Sequence, residues 1–128
     1  VYGEQRGAAL ADFDGDNRTD LIVSQNGANT KFFKNTGAKK GVRVRLVGAP
    51  SNPGAVGAAV RLVFGDEFGP VREIQAGSGY AAQNSAALPF GKTGVPTGVW
   101  VRWPDGSETR TEIETLVGEV VIKYAHNR

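Results

Sequence analysis

Four aspartates fall within nine residues, at Asp12, Asp14, Asp16 and Asp20, and read as positions 1, 3, 5 and 9 of a tight loop. The first three stand at alternate positions, so a tight curl aims their carboxylates at one point. Like charges that close repel strongly unless a cation sits among them. Gly15 and Asn17 supply the tolerant backbone that the curl requires. An acidic turn held open by solvent is the ordinary alternative. The strict spacing argues instead for calcium, a hard cation that takes about six to eight oxygens. The expected ligands are the carboxylates of Asp12, Asp14, Asp16 and Asp20 with the backbone carbonyl of Arg18. Val23 stands where an EF-hand carries its closing Glu, and strands rather than helices flank the loop, so the site is not an EF-hand.

The chain on either side of the loop reads as short strands. Leu21, Ile22 and Val23 are consecutive and apolar, as in a strand covered on both faces. A turn at 26–29 precedes a second short strand around 31–34, and 35–41 is a polar, Gly-bearing junction. We place a boundary there, between a partial repeat unit at 1–40 and a β domain at 41–128.

Beyond the boundary the pattern is alternation. Val42, Val44 and Leu46 share one face against Arg43 and Arg45; Val60, Leu62 and Phe64 share another; Val120, Ile122 and Tyr124 a third. A further strand is expected near 71–75, and Gly77-Ser78-Gly79-Tyr80 should form a tight loop. The segment 99–113 specifies its own register. Pro104-Asp105-Gly106 suits a three-residue hairpin loop with Gly106 in the left-handed region. That loop pairs Trp103 with Ser107, Arg102 with Glu108, Val101 with Thr109, Trp100 with Arg110 and Val99 with Thr111. A two-residue loop would set Val101 against Arg110, mixing apolar with charged, and is the poorer solution. Trp103 is therefore expected in the core and Trp100 on the outer face.

The 18 Gly and 6 Pro fit this turn-rich, all-β reading. With no Cys there is no disulfide and no thiolate chemistry, and with no Met the chain is expected to be a mature or excised portion of a longer protein, any signal peptide lying outside it. No apolar run approaches the roughly 20 residues of a membrane-spanning helix. The net charge of +2 is spread evenly, so nucleic acid is not an expected partner.

The run Ala11-Asp12-Phe13-Asp14-Gly15-Asp16-Asn17-Arg18-Thr19-Asp20-Leu21 resembles the FG-GAP/VCBS repeat, the calcium-loop blade element of integrin-type β-propellers. One repeat cannot close a propeller, so the resemblance implies further blades in a parent chain. Residues 42–124 resemble the ASPIC/UnbV domain. The matching residues are Val42-Arg43-Val44-Arg45-Leu46, Gly57 with Val60, Gly77-Ser78-Gly79-Tyr80-Ala81-Ala82-Gln83-Asn84, Phe90-Gly91 and Val101-Arg102-Trp103-Pro104-Asp105-Gly106. Pro89 departs from the family pattern and predicts a short or edge strand. Together the resemblances imply an all-β protein: an incomplete propeller-type blade with a calcium loop, followed by a β-sandwich or barrel-like domain. They imply a secreted or cell-surface setting and a role in adhesion or matrix binding.

Enzymatic chemistry finds little footing. The single histidine, His126, stands at the C-terminal end; Ser78 lacks the spacing of a nucleophile elbow; Asp66 and Glu67 are adjacent and would point apart on a strand. Binding chemistry has three candidates. Tyr80, Gln83 and Asn84 form a ligand-facing cluster unless they merely support their loop. Arg43 and Arg45, with Lys39 and Lys40 before them, would hold an anionic polysaccharide unless they are an ordinary solvated face. Trp100, beside Arg102, Glu108 and Arg110, is either packed beneath a loop with Arg110 stacked on its ring, or a platform for a sugar. The expected function is a non-catalytic, calcium-stabilised binding module whose partner is an extracellular glycan or protein. The alternative is a structural cap on the missing blades, or a subunit contact.

Overall fold

The computed structural model describes residues 4–77, 79, 82–91, 94–114 and 118–125. Their regular structure is entirely strand: β1 (Glu4–Ala11), β2 (Asp20–Asn26), β3 (Lys31–Phe33), β4 (Val42–Val47), β5 (Ala59–Phe64), β6 (Glu67–Phe68), β7 (Arg72–Glu73), β8 (Leu88–Phe90), β9 (Gly98–Arg102), β10 (Glu108–Glu112) and β11 (Glu119–Lys123). They form three sheets, ordered β1-β2-β3, β10-β9-β5-β6 with β7 also on β5, and β11-β4-β8. None of the three closes, so the barrel alternative falls away.

The second and third sheets share one core. Val42, Val44 and Leu46 of β4 and Ile122 of β11 meet Val60 and Leu62 of β5 and Val99 and Val101 of β9, with Trp103 and Phe90 among them. Period-two alternation on each strand delivers one apolar face, and each buried Val or Leu contributes about 1.5–3 kcal/mol. Pro89 sits where its missing N–H is harmless, on the three-residue edge strand β8.

The hairpin adopts the register derived from its loop. Arg102 pairs with Glu108, Val101 with Thr109, Trp100 with Arg110 and Val99 with Thr111. Trp103 N–H donates to the Ser107 carbonyl at 2.8 Å, Gly106 N–H to the Trp103 carbonyl at 2.9 Å, and Gly106 has φ 86°. Trp103 is 2 % exposed, and its indole N–H donates to Thr109 Oγ1 at 2.9 Å.

Two features lie beyond the sequence reading, and a third differs from it. The last strand, β11, runs parallel to β4, with Val44 opposite Val120 and Leu46 opposite Ile122. A two-residue strand, β6, turns back at Gly65-Asp66 and sets Phe68 opposite Val63. The β2 segment, expected to be covered on both faces, buries only Asp20 and Val23 fully and leaves Leu21 and Ile22 half-exposed. Several large apolar side chains of this segment stay open among the described residues: Leu10 is 45 % exposed, Phe13 48 %, Phe32 49 % and Phe33 44 %.

Candidate metal centre and the outer sheet face

The aspartate loop closes the β1–β2 hairpin, with Ala11 and Asp20 as the last pair before it. Gly15 (φ 75°) and Asn17 (φ 64°) make the two left-handed bends that curl it. The curl turns backbone donors onto the carboxylates. Asp16 N–H reaches Asp12 Oδ1 at 3.0 Å and Asp14 Oδ1 at 3.2 Å, and Asn17 N–H reaches Asp12 Oδ2 at 2.9 Å. Asp20, buried at 1 % exposure, accepts from Phe13 N–H at 3.1 Å and Asn35 N–H at 2.8 Å. A buried carboxylate without such donors would be costly.

One carboxyl oxygen each from Asp12, Asp14 and Asp20 lies within 4.8 Å of the other two. Oxygens around one calcium stand about 2.3–2.6 Å from it, so three at this mutual distance fit a single hard cation. Asp16, the fourth expected ligand, is turned elsewhere: its carboxylate accepts from Arg18 N–H at 2.9 Å and from Arg18 Nη1 at 2.8 Å. Arg18 Nε in turn donates to the Ala38 carbonyl at 2.6 Å.

Basic side chains neutralise the cluster. Lys34 pairs with Asp14, and Arg43 Nη1 lies 3.1 Å from Asp12 Oδ2. The Lys34 ammonium holds the Asp14 carboxyl below its ordinary range, and the same contact pushes Lys34 upward. The Arg43 side chain also faces Glu119, 3.4 Å away, while Arg45 forms a fork on Glu119 through Nε at 3.0 Å and Nη2 at 2.5 Å. Arg45 is the largest cause of the lowered Glu119 carboxyl. Both arginines, weighed as a polysaccharide face against an ordinary solvated one, therefore already have carboxylate partners.

The outer face of the second sheet carries Trp100. Its ring is half-buried, Nε1 donates to Glu108 Oε2 at 3.0 Å, and Phe68 meets it edge-on with centroids 6.0 Å apart. Arg61 lies over the Phe68 ring at 5.9 Å. Arg110 does not stack on Trp100 as the packing alternative had it; Nη2 donates to the Gly65 carbonyl at 2.8 Å. Arg102 is exposed on the same face. Arg61 was legible from its parity against Val60 and Leu62, whereas Phe68 reaches this face only through β6.

Of the loop cluster, Tyr80 lies outside the described residues, as do Ser78 and His126. Gln83 is exposed. Asn84 is tied to β1: its Oδ1 accepts from Leu10 N–H at 2.9 Å, while Ser85 N–H donates to the Leu10 carbonyl at 3.1 Å. That is the supporting role for Asn84. Asp66 lies at the exposed β5–β6 turn.

A family model described as ASPIC and UnbV matches residues 48–127, beginning just after β4. No curated protein matches the chain.

Proposed function

The chain belongs to the ASPIC and UnbV family, and on that premise we propose that it is a non-catalytic extracellular binding module with a calcium-held first segment. The observation that carries the reading is the convergence of Asp12, Asp14 and Asp20, an all-oxygen set suited to a hard cation. The first segment is then a calcium-loop repeat of FG-GAP/VCBS type, closed by Asp12, Asp14 and Asp20, with Asp16 and the Arg18 carbonyl as further ligands if the Arg18 side chain releases Asp16. Calcium supplies charge neutralisation and rigidity there.

The binding face we assign to the outer side of the second sheet, around Trp100. An aromatic plane with Arg61, Arg102, Glu108 and Arg110 around it suits the C–H face of a sugar with its hydroxyls bonded at the rim. The experiment is a glycan-array screen of the chain with calcium and with chelator, repeated for Trp100→Ala. Retention of a glycan by wild type and its loss in Trp100→Ala supports the proposal. Retention unchanged in the variant removes Trp100 from the site.

A second reading rests on the small first sheet. Paired residues share a face, so Leu10, Leu21 and Phe33 lie on one side and Ile22 and Phe32 on the other, where Phe13 meets Phe32 edge-on. A sheet apolar on both faces is built to lie between two layers. That favours a structural role, with further blades of a parent chain or a neighbouring subunit covering it.

A further inference from the structure

One end of the core carries a cleft of about 360 Å³ whose walls come from three strand exits. The 48–55 loop follows β4, the Trp103–Asp105 turn follows β9, and Tyr124 follows β11. Its size is at the low end for ligand sites, which run about 300–1,000 Å³, and suits one inserted side chain. Trp103 and Tyr124 meet edge-on with centroids 5.2 Å apart and provide an aromatic wall. Asp105 is the one charged residue lining it among the described residues.

Two features make this cleft pre-formed. Ala55, 1 % exposed on its wall, has φ 53°, a left-handed conformation that a residue with a Cβ adopts only when its surroundings impose it. Hydrogen bonds impose it: Ala55 N–H donates to the Asn52 carbonyl at 2.9 Å, and the Asn52 amide clamps Val56 by donating to its carbonyl and accepting from its N–H. The second feature is the carboxylate. Asp105 Oδ1 accepts from Ser107 N–H at 3.0 Å and Ser107 Oγ at 2.6 Å, and Oδ2 accepts from Tyr124 Oη at 2.6 Å. The Ser107 hydroxyl first, then that of Tyr124, push its acidity to about 2, so it is a fixed anion at neutral pH.

A carboxylate offers about four acceptor positions. Donors among the described residues fill three, which leaves one, on Oδ2. A guanidinium fork needs two parallel acceptors, whereas an ammonium is a point donor on an apolar stem. We propose that this cleft receives the side chain of a lysine presented by a protein partner, the ammonium on Asp105 Oδ2 and the stem against the Ala49, Pro104 and Tyr124 lining of the cleft. The site is separate from the aspartate loop and from the Trp100 face, and stands whether or not either is used.

The test is a nuclear magnetic resonance titration of the full chain with Nα-acetyl-lysine methylamide, and with its norleucine and arginine counterparts. Expected are saturable shifts at the Trp103 indole and Asp105 amide for lysine, weaker binding of arginine, and weakest binding of norleucine. Asp105→Asn keeps the Ser107 acceptor but removes the charge, and should weaken lysine binding about tenfold or more. Ser51→Phe, at the exposed rim, narrows the cleft without touching Asp105 and should also weaken it, covering the case in which Asp105→Asn disturbs the hairpin. No saturable binding of the lysine probe, equal binding of norleucine, tighter binding of arginine, or unchanged affinity in both variants would overturn the proposal.

Discussion

Arg43, on the first strand of the shared core, places Nη1 3.1 Å from Asp12 Oδ2, in the aspartate loop of the separate first sheet. Asp12 is only 1 % exposed at its side chain, so this guanidinium supplies much of the countercharge that the loop needs when no metal is present. The loop is also joined to the domain through Gly41 N–H and the Asn17 carbonyl, 2.8 Å apart.

Arg43→Gln should therefore lower stability by about 1–3 kcal/mol in chelator, because a buried carboxylate loses a charged donor. In saturating calcium the loss should shrink, since the cation takes over the neutralisation. Chemical denaturation of both proteins in both buffers checks this. An equal loss with and without calcium would show that the metal does not reach Asp12.

Calcium itself should raise the melting temperature. Binding to the folded state alone contributes about 2.7 kcal/mol at a hundredfold excess over Kd. Asp14→Ala should abolish that gain, and a thermal scan indifferent to chelator in wild type would refute the metal site.

The two tryptophans should respond oppositely to truncation. Trp103→Ala removes a core ring that is only 2 % exposed and should cost about 3–5 kcal/mol. Trp100→Ala removes a half-exposed ring with one bond to Glu108 and should cost clearly less. Equal losses in urea titrations would mean that Trp100 is a core residue.

Asp105 sets an acid limit on the hairpin end. Its carboxyl is depressed from 3.8 to about 2, so the folded state favours the ionised form. A depressed group contributes stability that is fully present above its unfolded value and is lost as pH falls toward the folded one. The wild-type melting temperature should fall between about pH 4 and pH 2 more steeply than that of Asp105→Asn. Parallel curves would show that the Ser107 and Tyr124 contacts do not hold the ionised form.

The core cluster draws all its members from 42–122, and none from the first sheet. A 41–128 fragment should consequently keep its β circular dichroism and a cooperative melt, while residues 1–40 alone should not fold. Loss of the fold in 41–128 would mean that the Leu10–Asn84 and Asp12–Arg43 links are essential to it.

Local chemistry was enough for whatever depends on neighbours in the chain. Alternation put Val42, Val44, Leu46, Val60, Leu62 and Ile122 inward, because a strand has a period of two. Pro104-Asp105-Gly106 set a register that buried Trp103 and left Trp100 outside, because loop length and Gly106 decide a hairpin within a dozen residues. The aspartate spacing brought Asp12, Asp14 and Asp20 together for the same reason. Tertiary structure decided what depends on partners far along the chain. Nothing in Glu119–Lys123 announces a parallel pairing with Val42–Val47, since an alternating strand carries no mark of which edge it joins or in which direction. Arg43 read as a solvated face until Asp12 and Glu119 were carried to it from opposite ends of the chain. Asn84 is tied to β1 by the same long-range packing, and the Arg18 guanidinium beside Asp16 is anchored on the Ala38 carbonyl, 20 positions along the chain. In each case the deciding energy is a contact between groups that the chain order keeps apart, and only the folded backbone brings them within bonding distance.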